Sequence, residues 1–284
     1  MDAEVTSRPA PWLQTWMLWP ALLLLALFFV WPTLDVLRAS VFDPDFTTQH
    51  LERLFTRPIY LQVLWRTVLV ALEVTLLCTL LGYPAAWFIS RQPRQRQFML
   101  LFLVFVTMWM SVLIRSFAWV VLLGREGLAN QMLLSLGLAD APQALLYTPS
   151  AVLVAMVQIL LPIQIVTCVG AMTEIDSGLV RAARVLGASP AQAFVRVVLP
   201  LSMDGVATAA AIVFMMAMGF FITPALLGGR SDLLLGNLIE QQVGQLKWGF
   251  AAALASLLLA TTLGLLGLAR AARAGWRRWV GGRR

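Results

Sequence analysis

His50 is the one histidine in 284 residues, and Cys78 and Cys168 are the only two cysteines. Both cysteines fall inside long apolar runs, with no paired spacing and no histidine nearby, so they suggest neither disulfide nor metal and read as apolar filler. A metal centre needs a cluster of His, Cys or carboxylate ligands, and general acid–base work needs a titratable group poised against the reacting atoms. No such set is present, and no Walker-type glycine-rich loop is found to cradle phosphate. A membrane hydrolase, a metalloenzyme or a resident ATP site is therefore not expected, and no cofactor is implied.

The remaining polar chemistry lies inside apolar sequence. Arg115 sits within residues 107–123 and Glu73 several residues inside residues 68–89, placements that are costly in hydrocarbon unless they face a bundle interior or water. Two readings stay open for both: lining a solute path, or pairing with each other or with freed carbonyls. Gln158 and Gln164 straddle Pro162, which removes a backbone bond and leaves carbonyls to be satisfied. They either line a path or glue neighbouring helices. Trp109, Trp119, Phe220 and Phe221 could line a cation path through their ring faces, or serve as packing and interface anchors.

The elements that position these residues follow from composition. Sixty per cent of the residues are hydrophobic, 12% are charged and the mean hydropathy is +0.81, which marks an integral membrane protein. Runs long enough to cross about 30 Å of hydrocarbon occur at residues 16–37, 68–89, 98–123, 151–172, 206–227 and 250–268. The expected architecture is all-α, with about six transmembrane helices. The first run reads as a retained span, because its apolar part is too long for a cleavable signal and Asp2 and Glu4 precede it. The outer segment at residues 231–246, capped by Ser231 or Asp232 and carrying Leu235, Leu238, Ile239 and Val243, reads as a half-buried helix near an outer gate or as a surface helix.

Basic residues divide unevenly between the two sets of connecting segments. One set holds Arg8, Arg91, Arg94, Arg96, Arg181, Arg184, Arg196 and the arginine-rich tail, 13 cations in all; the other holds 7. The richer side is expected to be cytoplasmic, with both termini there. The pI of about 10.6 then reports topology and anionic lipid, and no nucleic-acid partner is expected. Arg270, Arg273, Trp276 and Trp279 fit an interfacial anchor.

Residues 174–200 form a polar island between two spans. Asp176 or Ser177 can cap a short helix through Leu186, with Leu179, Ala182, Ala183 and Leu186 on one face. Gly187 supplies a left-handed stop. Ser189, Pro190 and Gln192 restart a helix by a capping box, and Pro200 is expected to end it. Helices this short are marginal alone, so the pair is expected to dock on a partner.

The run Arg181-Ala182-Ala183, Gly187, then Leu199-Pro200 resembles the EAA loop of ABC importer permeases. Matching segments are Thr67, Gly82-Tyr83-Pro84, Arg115 with Ala118-Trp119, Gly127 with Asn130, Leu161-Pro162 and Phe220 through Gly229, the last resembling the spermidine and putrescine subclass. That match adds Thr223 to the path candidates. One departure is that the family's leading glutamate is Arg181 here.

The resemblance implies a type I ABC importer permease fold in a bacterial plasma membrane. Residues 1–62 would form an N-terminal cytoplasmic segment, a first span and an outer loop; residues 63–270 the permease core; and residues 271–284 a basic cytoplasmic tail. It further implies a second, homologous permease subunit in a heterodimer, two ATPase subunits docked on Arg181, Ala182, Ala183, Gly187, Ser189, Pro190, Leu199 and Pro200, and an extracytoplasmic solute-binding protein. Polyamines or related small cations are the implied solutes; other amines, amino-acid derivatives and ferric ion are the alternatives. A secondary transporter or a membrane scaffold are the rival classes; the first needs coupling-ion sites in broken helices and has no use for a docking loop.

Overall fold

The computed structural model describes residues 11–42, 46–229 and 232–281, with side chains left undescribed at 11–17, Ser177 and 276–281. Arg8, the Ser231 cap and the Trp276 and Trp279 anchors lie outside what is described. The first helix, α1, runs Pro11–Leu25, opens into a π turn at Ala26–Val30 and closes as Trp31–Ala39. Then follow α2 (Gln49–Thr56), α3 (Pro58–Ser90), α4 (Arg94–Trp109), α5 (Val112–Leu123), α6 (Leu128–Ser135), α7 (Pro149–Thr173) and α8 (Ser177–Val185). The helix α9 spans Pro190–Met218, and α10 (Ile222–Leu227), α11 (Leu235–Gly244) and α12 (Trp248–Gly281) complete the chain.

Among the described residues five helices are long and apolar enough to cross a membrane, α1, α3, α7, α9 and α12, and a sixth crossing is a bent pair. The all-α expectation holds, and its details change in three places. The run at 98–123 is not one straight span: α4 stops at Trp109, and the chain turns by 89° into the helices that follow. Met110 and Ser111 are extended there, at ψ 135° and 137°. The run at 206–227 is interrupted at Gly219–Phe221, after which α10 is a separate short helix. Pro200 ends nothing. Phe194–Val198 form a π turn whose last carbonyl bond runs from Leu199 N–H to Phe194 O, and the wider turn makes room for the proline ring, which would otherwise clash with the preceding turn. The same device precedes Pro32, where Trp31 N–H bonds Ala26 O.

The core lies where α3, α7 and α9 cross. Val68, Ala71, Val74 and Cys78 of α3 meet Ala155, Met156 and Leu160 of α7 and Val213 and Ala217 of α9. Small residues set the approach: Gly82 faces Gln164, and Gly205 lies against Ala171 so tightly that neither position has room for a larger side chain without movement. Lipid tails are as apolar as leucine, so close packing of this kind is what holds membrane helices together. The two cysteines are free and buried, Cys78 donating its S–H to Val157 O at 3.6 Å.

The outer helix differs from its expected form. It begins at Leu235, and Asp232 instead accepts from Gly229 N–H at 3.0 Å. Its first amides are met by one distant and one local group: Thr67 Oγ1 accepts from Leu235 N–H at 2.9 Å, and Asn237 Oδ1, three residues on, accepts from Leu234 N–H at 3.0 Å. Leu235 is buried with Leu54, Val63, Phe250 and Leu254, so the half-buried reading is the one observed.

Candidate functional site

The sequence-predicted residues fall into two separate groups. The first is the segment 174–200. Asp176 Oδ1 accepts from Gly178 N–H at 2.7 Å and opens α8. At its other end Gly187 has φ +90°; Ala188 N–H reaches Ala183 O at 3.0 Å and Gly187 N–H reaches Arg184 O at 3.0 Å. These are the two bonds of a Schellman stop, which needs a left-handed residue at the Gly187 position. Ser189 and Gln192 form the reciprocal capping box, at 3.2 Å and 3.0 Å, with Pro190 at the first helical position.

The two arms of this segment are held differently. Ala193 and Val198 are buried, and Phe194 packs edge-on against Trp87 at 5.1 Å, while Tyr83 and Ser202 share a hydroxyl bond of 3.0 Å. The α9 arm is therefore fastened to α3. By contrast Val185 and Leu186 at the end of α8 are each 87% exposed, Ala182 is exposed and Ala183 half-buried. Leu186 belongs to the predicted apolar face; Val185 was not singled out, although two adjacent apolar residues beside a helix stop were the available signal.

The second group is intramembrane. Arg115 is 7% exposed, donates from Nη1 to Ile159 O at 3.4 Å, and has no partner for Nε. One turn along α5, Trp119 Nε1 donates to Gln158 Oε1 at 3.4 Å. Both donors thus meet α7 just ahead of Pro162. Ser116, on the same helix, shares a 2.9 Å hydroxyl bond with Thr223, and both are fully buried. Phe220 packs on the core, Phe221 is partly exposed, and the Phe221 carbonyl accepts from Asn237 Nδ2 at 2.7 Å. These contacts bring Arg115, Trp119, Gln158, Phe220, Phe221 and Thr223 into one region built from two broken helices.

Three candidates lie elsewhere. Gln164 is fully buried at the α3 crossing, donating to Thr79 Oγ1 at 3.2 Å, so its place is helix packing. Trp109 is 87% exposed at the corner after α4. Glu73 is exposed on the outer stripe of α3 and makes no hydrogen bond or ion pair with the described residues, so the pairing of Glu73 with Arg115 does not occur. Ser116 and Asn237 were missed by the sequence reading because neither residue type signals a long-range partner. Asn130 is a fastener: it bonds Gly124 O and Gln143 O, each at 3.1 Å, and accepts from Gln143 N–H at 2.8 Å.

Residues 79–276 match the family described as the binding-protein-dependent transport system inner membrane component. The chain is 38% identical over 251 residues to the spermidine/putrescine transport system permease protein PotB of Escherichia coli, covering 85% of this chain and 90% of that one. It is 38% identical over 244 residues to the PotB of Haemophilus influenzae, with 85% and 83% covered. In three dimensions it is similar to a bacterial ABC transporter that imports the acidic polysaccharide alginate, at TM-score 0.66 and 19% identity over 91% of this chain and 95% of that one. It is also similar to the MetNI methionine ABC transporter, at TM-score 0.56 and 18% identity over 78% and 95%. The fold is thus that of ABC importer permeases, and the chain belongs to the family of binding-protein-dependent transport system inner membrane components.

Proposed function

We propose that this chain is one of two permease subunits of an ATP-driven importer that carries polyamines, or related small organic cations, across a bacterial plasma membrane by alternating access. The observation that carries the reading is continuity. Pro190–Met218 is helical throughout, so displacement of the exposed α8 end is delivered along a closely packed rod to the broken segment at Gly219–Phe221, where Arg115, Ser116, Thr223 and Asn237 gather. Two separate ATPase subunits supply that displacement by gripping the segment around Ala182, Ala183, Val185, Leu186 and Gly187. ATP hydrolysis belongs to them and not to this chain.

The second permease is assigned as a homologous subunit, and the first helix leaves an apolar surface for a partner. Leu18–Ala39 is strongly apolar yet buries none of its apolar window against the rest of the chain. Residues 63–270 are assigned as the permease core, residues 1–62 as an N-terminal cytoplasmic segment, first span and outer loop, and residues 271–284 as a basic cytoplasmic tail. Both termini and the 174–200 segment are assigned to the cytoplasm by the arginine distribution, and an extracytoplasmic binding protein delivers solute to the opposite face. The polyamine assignment rests on similarity to permeases named for spermidine and putrescine.

The test is uptake of labelled spermidine and putrescine in cells lacking this chain, with and without its return, alongside co-purification of an ATPase. Restored uptake with a bound ATPase is the expected result. Unchanged uptake of both amines would remove the solute assignment, and absence of any bound ATPase would remove the importer mechanism.

A further inference from the structure

A groove of about 400 Å³ lies between α3, α9 and α12. Ala207, Ala210 and Ala211 of α9 form one wall, Leu265 and Leu266 of α12 another, and Leu72 of α3 also lines it. The alanines matter because longer side chains there would fill the space. Polar groups line it only toward one end, at Thr208, Arg270 and Arg273, apart from Thr75 of α3, whose hydroxyl is spent on Ala71 O at 2.6 Å. That end adjoins Asp204, four residues beyond Pro200, so it opens at the membrane face that carries residues 174–200.

The polar groups at this mouth are unequally occupied. Arg273 is spent: its Nη2 lies 2.8 Å from Asp204 Oδ1 and 3.3 Å from Met203 O. The Thr208 hydroxyl is spent on Asp204 O at 2.9 Å. Arg270, one turn before Arg273, is exposed and has no partner among the described residues. An apolar groove ending in a cation with no partner among the described residues complements a molecule with an alkyl chain and an anionic head.

We propose that this groove binds one anionic glycerophospholipid, with an acyl chain between α9 and α12 and its phosphate on Arg270. The lipid then bridges the helix that carries the exposed loop to the last helix, beside the Arg273–Asp204 pair. This site is independent of which solute the protein moves.

The experiment is native mass spectrometry of the full-length permease, purified in mild detergent with whatever subunits remain bound, and titrated with phosphatidylglycerol or phosphatidylcholine. Wild type is expected to hold one phosphatidylglycerol per chain and to bind phosphatidylcholine more weakly. Arg270→Gln weakens the phosphatidylglycerol adduct roughly fivefold, the contribution of one arginine near an anionic headgroup. Ala211→Trp, which blocks the slot, abolishes the adduct, and Arg94→Gln, an exposed arginine away from it, leaves it unchanged. Because Arg270 is exposed and bears no internal bond, its variant tests the proposal even if Ala211→Trp misfolds. Equal binding of the two lipids, equal phosphatidylglycerol binding in Arg270→Gln, or loss of the phosphatidylglycerol adduct to competing inorganic phosphate at equal concentration would overturn it. So would an Ala211→Cys thiol that cross-links to a second permease subunit.

Discussion

Arg115 Nη1 faces the carbonyl oxygen of Ile159 at 3.4 Å, three residues ahead of Pro162. Pro162 has no N–H, so the turn of α7 before it is short of one internal bond, and the half-helix α5 presents Arg115 and Trp119 to that turn. A broken helix is thereby seated on a proline-weakened one. The arrangement is a joint whose halves are held by polar contacts, and under the proposed mechanism it is where a gate would open and close.

Replacing Arg115 by alanine removes the contact without orphaning an acid, because Glu73 is not its partner. The chain is expected to reach the membrane and hold its partners, with uptake reduced about tenfold or more, since a bond to a charged donor contributes about 1.5 to 3 kcal/mol. Uptake and pull-down measured on the same preparation check this. Lost assembly would mean that the arginine is mainly a structural brace.

Gly187 is the sharpest single test of the loop. A Cβ there meets nothing of this chain within 4 Å, so within the chain Gly187→Val acts through its positive φ, costing about 1 to 3 kcal/mol. Gly187→Asn tolerates that conformation far better. Solute-stimulated ATP hydrolysis should fall in the valine variant and largely survive in the asparagine one; equal activity in both would separate the stop from coupling.

Val185 and Leu186 are apolar and almost wholly exposed. Leu186→Asp and Ala183→Asp are expected to leave the chain in the membrane with its sister permease while an ATPase no longer co-purifies. Arg181→Glu, which restores the family's usual residue, is expected to be tolerated. Retention of the ATPase by both aspartate variants would show that the grip lies elsewhere.

Gly82 is close to Gln164 Cγ, where an added Cβ would sit 2.8 Å away. Overpacking at such a crossing typically costs about 1 to 3 kcal/mol. Gly82→Val should lower the melting temperature in detergent, and Gln164→Ala introduced with it should recover part of the loss, as expected for two sites in contact. Simple additivity of the two changes would contradict the packing role of Gln164.

Single cysteines at Gln95, Gln192 and Gly281, in a chain lacking Cys78 and Cys168, should resist an impermeant thiol reagent in intact cells, while a cysteine at His50 should label. Labelling at Gln192 would put the exposed loop on the wrong side of the membrane for any ATPase.

Membrane class, approximate span positions, the Asp176 cap, the Gly187 stop and the Ser189–Gln192 capping box were legible in the sequence alone. Each depends on residues a few positions apart, or on a hydrophobic total, and local backbone chemistry decides such features. Tertiary structure decided the rest. Pro200 looks like a helix stop until a π turn and the packing of Phe194 on Trp87 carry the helix through it. The helix breaks at Met110–Ser111 and Gly219–Phe221 sit in largely apolar sequence, and polar partners more than a hundred residues apart meet beside them, as Ser116 does with Thr223. Freed backbone groups at membrane depth must be satisfied by whatever neighbouring helices supply, so where a span breaks, and which polar residues then meet, follows from the packed bundle and not from the local run of residues.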